Sequence, residues 1–405
     1  MPTLPPGTVV IGQSGGPTAV INQSLIGVAK ACLQRPEVFT RVLGAVHGVN
    51  GILKGEFVDF GAEDPANLEV VAGTPSSALK SVRRKASKDD CEAIFARFKE
   101  LNVRAFFYIG GNDTAETTHI IDEMAKQVGY DLACFHVPKT IDNDLRVTDH
   151  CPGYGSAAKF VAQAFMGDNL DNRALSGIKV NIVMGRNAGW LTAAAALARI
   201  LPQDGPHLIY CPEADFSLDA FCADAEAVYR TLGRCVIAVS EGIHGPGGTE
   251  IIDSKEVDSH GNKQLSGSGA LGDFLADTLK AHLAKVMPDK KHRVRADTFG
   301  YLQRCFPGVV SESDAREARQ AGVAAVEAAV AGTRSGSVAF KRLDNPYRIE
   351  CFVTPLATVA KETKPMPRGL LNAAGNDVVS DKLLPYLRPL VGQLPPVGRL
   401  QGISG

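Results

Sequence analysis

The sequence predicts an α/β protein, with two Rossmann-like lobes built on mainly parallel sheets and helices on both faces. Three observations carry the prediction. Short apolar runs stop at glycine or at charged residues. Helical patterns follow them. The chain has 405 residues, which is long for one core and suits two lobes of ordinary size. Strands alternating with helices form parallel sheets covered on both faces. Right-handed crossovers align the strand C-terminal ends along one edge, the edge where open α/β sheets bind ligands.

The elements follow in order. Residues 8–11 form a β-branched run bounded by Gly7 and Gly12, then the turn GQSGGPT and a helical pattern over about 19–33. Residues 105–109 repeat the unit, with a turn at Gly110-Gly111 and a helix over 113–124. Residues 132–137 read as a strand ending at Pro138, and 179–184 as a strand followed by Gly185 and an Ala-rich helix over 188–200. Residues 235–240 read as a strand ending at Glu241-Gly242. Residues 253–265 are polar and turn-rich, hence a surface hairpin or loop. An amphipathic helix is expected over 314–332, stopped by Gly332. The proline-rich tail, 385–405, has little periodicity and is expected to wrap the surface or fray.

A net charge of -1 leaves no field of one sign, so we expect neither nucleic acid nor an anionic membrane as partner. No apolar run is long enough to cross a bilayer. The N-terminal MPTLPPGTVV lacks the basic and apolar regions of a signal peptide. Nine cysteines are scattered singly, without C-x-x-C or a zinc-type spacing. Reduced thiols and a cytoplasmic location are the expectation.

Polar clusters fall at the predicted strand ends. The first turn, with Gly15 and Gly16, allows close backbone approach to an anion, or is simply a tight turn. It is not a Walker A loop. In the second turn, Asn112 and Asp113 open a helix, where Asp113 either caps it or faces a phosphate–magnesium group. Residues 138–144 (PKTIDND) place Lys139, Thr140, Asp142 and Asp144 together after a strand. Phosphoryl transfer needs a base, cations and alignment, and this segment offers all three. Arg186, Arg295 and Arg304 are candidate phosphate forks, and Glu241 a candidate acceptor for sugar hydroxyls. Residues 267–272 match G-x-G-x-x-G, but no apolar strand precedes them, so we read them as the lead-in to a helix over 273–286.

The motifs, and their order, resemble those of the phosphofructokinases, across residues 9–304 with a weaker echo over 314–332. SGGPTAVIN resembles the first donor-phosphate loop, IGGNDT the second glycine loop and PKTIDND the catalytic loop. MGRNAGW, SEG (240–242) and RADTFGYLQR resemble sugar-phosphate segments. The resemblance implies an active site in a cleft between lobes. It divides the chain into a donor lobe (1–151 plus about 305–345) and a sugar-phosphate lobe (about 152–304 plus the C-terminal segment).

By that resemblance Asp142 takes the proton from the C1 hydroxyl of fructose 6-phosphate. Thr140 and Asp144 position substrate and metal. Gly15 contacts the donor phosphates. Met184, Gly185, Arg186, Tyr301 and Arg304 bind the sugar phosphate, and Glu241 binds its hydroxyls. Arg295 reaches a neighbouring subunit's site, which implies a homo-oligomer, with a dimer favoured. The implied cofactor is Mg²⁺, with Asn112 at the metal position where many relatives carry Asp. Tyr301 stands where many carry His. A further donor contact falls to Lys80 or Arg83.

ATP-using relatives have glycine at the positions of Asp113 and Lys139, whereas the pyrophosphate-using branch has Asp and Lys. A carboxylate at Asp113 repels a nucleotide's α-phosphate, and Lys139 adds charge to the pyrophosphate being split. The expected reaction is therefore reversible transfer from pyrophosphate to fructose 6-phosphate. An ATP-dependent enzyme, another sugar phosphate such as sedoheptulose 7-phosphate, and a non-catalytic sugar-phosphate sensor remain the alternatives. No basis for an allosteric nucleotide site is seen.

Overall fold

A computed structural model describes residues 4–82, 87–252 and 269–400. The expected loop at 253–265, the start of the G-x-G-x-x-G match and Arg83 lie outside the described residues. The chain divides into two compact units. The first takes its described residues from Met1–Ala157 and Arg304–Lys364, and the second from Ala158–Glu256, Lys263–Gln303 and Pro365–Gly405.

The first unit holds a seven-stranded sheet. Its spatial order is Arg348–Thr354, Ser335–Leu343, Ala133–Pro138, Val103–Gly110, Gly7–Gln13, Phe39–Ala45, Phe57–Asp59. All neighbours pair in parallel except the two outermost pairs. Successive residues of Gly7–Gln13 enter different cores. Val9 and Ile11 pack with Ile21–Leu33 and Glu312–Val330, while Val10 packs with Lys88–Glu100 and Asn112–Gln127. A strand buried on both faces reads as an unbroken apolar run, as residues 8–11 do. Helices Ile21–Leu33 and Glu312–Val330 approach closely because both present glycine. A Cβ at Gly27 would lie 2.6 Å from the Arg319 carbonyl oxygen, and one at Gly322 2.4 Å from that of Ser24.

The second unit holds a four-stranded parallel sheet, in the order Val294–Thr298, Gly177–Val183, Arg234–Ser240, Leu208–Tyr210. Helices Leu218–Leu232 and Ala270–Val286 join its core, through Phe221, Leu275 and Leu279 among others.

Two expectations are corrected. The Ala-rich segment is not one long α-helix. It forms a short α-helix, Trp190–Ala193, and a tighter turn of 3-10 helix, Ala194–Ala198. Every residue of both is buried, so packing rather than alanine's propensity sets the winding. The tail does not fray from 385. Residues Ser380–Val391 form an α-helix with Pro385 and Pro389 inside. An interior proline costs about 3 kcal/mol. Burial of Leu383, Leu387, Leu390 and Val391 returns about 1.5–3 kcal/mol for each large apolar side chain, which offsets the roughly 6 kcal/mol that two such prolines cost. The segment before this helix is anchored by Arg199, which holds Asp377 at 2.8 and 3.1 Å, and by the Asn376 carbonyl, which accepts from Ile209 N at 2.8 Å.

Candidate active site

In the first unit the parallel strands Gly7–Gln13, Val103–Gly110 and Ala133–Pro138 end side by side, so the loops after them converge. Lys139 is 4% exposed. Its backbone N–H donates to Gly110 O at 2.9 Å, and its Nζ donates to Gly16 O at 2.7 Å. A Cβ on Gly15 would meet that Nζ at 3.1 Å, and one on Gly16 would meet the Arg304 guanidinium at 3.4 Å. Two cations thus stand at the first glycine turn. The turn's own donors are partly engaged: Ser14 N–H bonds Ile109 O at 2.9 Å and Gly15 N–H bonds Val82 O at 3.1 Å. Helix Ile21–Leu33 starts beyond the glycines. Positive charge here comes more from side chains than from a helix N-terminus.

Residues 74–82 are laced across this turn. Gln13 Nε2 donates to Asn22 Oδ1 at 3.0 Å, and the two buried amides accept from Leu79 N and Ala78 N, each at 2.9 Å. Ser81 Oγ donates to Gly15 O at 2.6 Å. Lys80 sits exposed on this strap with φ +62°.

In the loop over residues 139–144, Thr140 Oγ1 is the hub. It accepts from Asp142 N at 3.0 Å and donates to Asp144 Oδ1 at 3.2 Å. Burial, and then the like charge of Asp142, push the Asp144 carboxyl up to about 7. A hydrogen bond from Thr140 and the Lys139 charge act against the rise. The Asp142 and Asp144 carboxylates and the Thr140 hydroxyl are hard oxygen donors, a set that fits Mg²⁺. Asn112 Nδ2 donates to Lys361 O at 3.1 Å, which leaves the amide oxygen as the atom available to a cation. Asp113 is exposed in the first turn of Asn112–Gln127, whose N-cap is Gly111. Asp113 is therefore not that helix's cap. His119, Asp122 and Glu123 also group within ligand distance, but Asp122 already pairs with Lys126 Nζ at 2.7 Å.

The second unit brings a different set together. Glu241 N–H bonds Val183 O at 2.9 Å. Gly185 N–H donates to Glu241 Oε1 at 3.4 Å, and Ser240 Oγ donates to Gly185 O at 2.7 Å. Met184 N–H donates to Gln303 Oε1 at 3.3 Å. A Cβ on Gly242 would fall 2.0 Å from Arg186 O, so Gly242 lets residues 184–186 lie against the Glu241 turn. Arg295 is not part of this group. It lies on Val294–Thr298, level with Lys179, four residues, or about 13 Å, before the strand end at Val183. Tyr301 is 49% exposed.

Gln303 and the Gln13–Asn22 pair were not anticipated. Gln303 adjoins Arg304 in the YLQR string. The amides carry no local sequence pattern and become visible only when residues 13, 22 and 78–79 are adjacent in space.

A family model described as phosphofructokinase matches residues 8–329. The pyrophosphate–fructose 6-phosphate 1-phosphotransferase of Rhodospirillum rubrum is 50% identical over 403 residues, covering 98% of this chain and 97% of that protein. The enzyme of the same name from Halomonas elongata is 36% identical, covering 94% of this chain and 90% of its own. The crystal structure of a pyrophosphate-dependent phosphofructokinase from Nitrosospira multiformis superposes with a TM-score of 0.85 at 31% identity, covering 98% of this chain and 95% of that one.

Proposed function

The chain belongs to the phosphofructokinase family, and on that premise we propose that it transfers a phosphoryl group reversibly from pyrophosphate to the C1 hydroxyl of fructose 6-phosphate. The products are fructose 1,6-bisphosphate and phosphate. The observation that carries this reading is the pairing of buried Lys139, held against Gly16, with exposed Asp113 on the neighbouring strand's turn.

Asp142 is the base for the C1 hydroxyl. Thr140, bonded to both Asp142 N and Asp144, fixes the loop so that the base meets the hydroxyl in line with the donor. Lys139 neutralises the charge that grows on the leaving phosphate, beside Gly15, and Arg304, which the resemblance gives to the sugar phosphate, stands close enough to Gly16 to share that charge. Lys80 adds charge from the strap. Asp113 disfavours a nucleotide's α-phosphate. In the second unit Arg186, Met184 and Gly185 hold the sugar phosphate, Glu241 accepts from sugar hydroxyls, and Tyr301 donates to the phosphate. Mg²⁺ would be held by Asp144 and the Asn112 amide oxygen and would supply charge neutralisation at the phosphates.

Arg295, exposed and away from its own unit's cluster, serves the site of a second copy, in a dimer. Nine free thiols, all but Cys305 and Cys351 buried, suit a reducing cytoplasm.

The test is a turnover assay with fructose 6-phosphate and Mg²⁺, comparing pyrophosphate with ATP. Turnover with pyrophosphate and not ATP is expected. Turnover with ATP alone overturns the roles of Asp113 and Lys139, and silence with both overturns the proposed reaction.

A further inference from the structure

The bonds within the loop over residues 139–144 are not all that holds it. Its hub, Thr140, forms a single parallel bridge with Gly153 and donates its N–H to Pro152 O at 3.1 Å. Asn143 Oδ1 accepts from Cys151 N at 3.0 Å. Residues 151–153 are therefore the template on which residues 140–143 lie. Gly153 has φ +104°, and a Cβ there would fall 2.7 Å from Thr18 Cγ2 and 3.3 Å from Thr140 O. Only glycine allows both that conformation and that approach.

The template is itself held by one buried carboxylate. Asp314, 4% exposed, accepts from Gly153 N at 2.8 Å through Oδ1. Through Oδ2 it accepts from Ser156 N at 2.8 Å and from Ser156 Oγ at 2.6 Å. Ser156 Oγ accepts in turn from Ser311 N at 3.1 Å, which fixes the start of the helix that carries Asp314. One turn further along that helix, Glu317 accepts from Tyr347 Oη at 2.8 Å and pairs with His150 Nε2 at 2.7 Å. The same helix face thus grips both sides of the template.

We infer that Asp314 is a positioning residue for phosphoryl transfer, acting through Gly153 and Thr140 to set the Asp142 and Asp144 carboxylates. The inference rests on the reading of Asp142 as the base. A carboxylate that takes three hydrogen bonds resists displacement, because each bond to a charged acceptor is stronger than a neutral one and its loss would strand a buried charge. A loop displaced by about 1 Å loses on the order of 10²-fold in rate while ground-state contacts survive.

The experiment compares the parent protein with Asp314→Asn, Ser156→Ala and Val326→Ala. Val326 lies on the same helix, is fully buried in the apolar core and touches no part of the loop chain described above. It reports what destabilisation alone does. For each protein we would measure kcat, KM for both substrates, the thermal midpoint, and hydrogen exchange over residues 139–153. Asp314→Asn is expected to lose about 100-fold in kcat with each KM within about twofold, Ser156→Ala to lose less, and Val326→Ala to lose midpoint but not kcat. Exchange over 139–153 should rise in Asp314→Asn beyond its rise in Val326→Ala.

A parental kcat in folded Asp314→Asn overturns the inference. So does a kcat loss in Val326→Ala that matches it at equal midpoint. Exchange that is equal in Asp314→Asn and Val326→Ala overturns it even if the parent shows no turnover, an outcome that would separately count against the reading of Asp142. If Asp314→Asn does not fold, Ser156→Ala decides by the same kcat and exchange criteria.

Discussion

In the first unit, Lys139, Thr140, Asp142 and Asp144 lie on one loop, and bonds from Gly110, at the end of a neighbouring strand, and from residues 151–153 fix that loop. In the second unit, Met184, Gly185 and Glu241 are bonded to one another and to Gln303, yet Arg295 stands about 13 Å back along its strand and Tyr301 is half in solvent. The donor-side candidates share one bonded loop, whereas the sugar-side candidates are spread along their unit. The chemistry of splitting a phosphoanhydride tolerates little displacement, so its residues are locked locally.

The largest expected effect tests the locked side. Asp142→Asn removes the base while Thr140 can still bond the loop, so kcat should fall about 10³-fold with KM little changed. Steady-state kinetics check this, and a small loss would deny Asp142 its role.

The next effect concerns what supports the locked side. His136 is fully buried beneath the loop, with Nε2 2.8 Å from Gly110 O and Nδ1 2.7 Å from Ser337 Oγ. Gly110 O also accepts from Lys139 N. Burial holds the imidazole down at about 4, against an ordinary value of 6.5. The folded state keeps it neutral while the unfolded chain takes up a proton below 6.5. Its contribution to stability is therefore full above pH 6.5 and is lost as pH falls toward 4, by on the order of 3 kcal/mol. Urea titrations at pH 7.5 and 4.5 should show that loss in the parent and a smaller one in His136→Gln. Equal losses would exclude His136 as the source.

The smallest effect tests the open side. Arg295→Ala should raise KM for fructose 6-phosphate about tenfold, the value of one charge-assisted contact, and leave KM for pyrophosphate unchanged. Mixing Arg295→Ala with Asp142→Asn subunits should recover activity if each site borrows its arginine from a second copy. No recovery would deny that the arginine is borrowed from a second copy, and an unchanged KM in Arg295→Ala would place it outside any site.

Local sequence disclosed much of the fold. Runs such as residues 8–11 and 235–240 are apolar throughout because both sheet faces are covered, and glycines mark their ends. It did not disclose Phe39–Ala45 or the antiparallel pair Ser335–Leu343 and Arg348–Thr354, whose polar outer residues dilute the pattern. The helix Ser380–Val391 was hidden by its prolines, because its stability comes from leucines packed on a distant segment. PKTIDND was legible as a site since its chemistry is contiguous. Asp314 was not. It sits in the first turn of an amphipathic helix, where an acidic residue is ordinary, and its meaning depends on Gly153, far away in sequence.

The contact between helices Ile21–Leu33 and Glu312–Val330 joins residues at opposite ends of the first unit's sequence, with Arg319 bonding Gln23 across 296 positions. A ribosome adding 5–20 residues per second needs roughly 15–60 s to make that interval. During that time Ile21, Leu25 and Val28 have been made but their helical partner has not. Until the second helix is made, the apolar face that the first presents to the glycine-lined seam has no helical cover, and slow translation lengthens that interval.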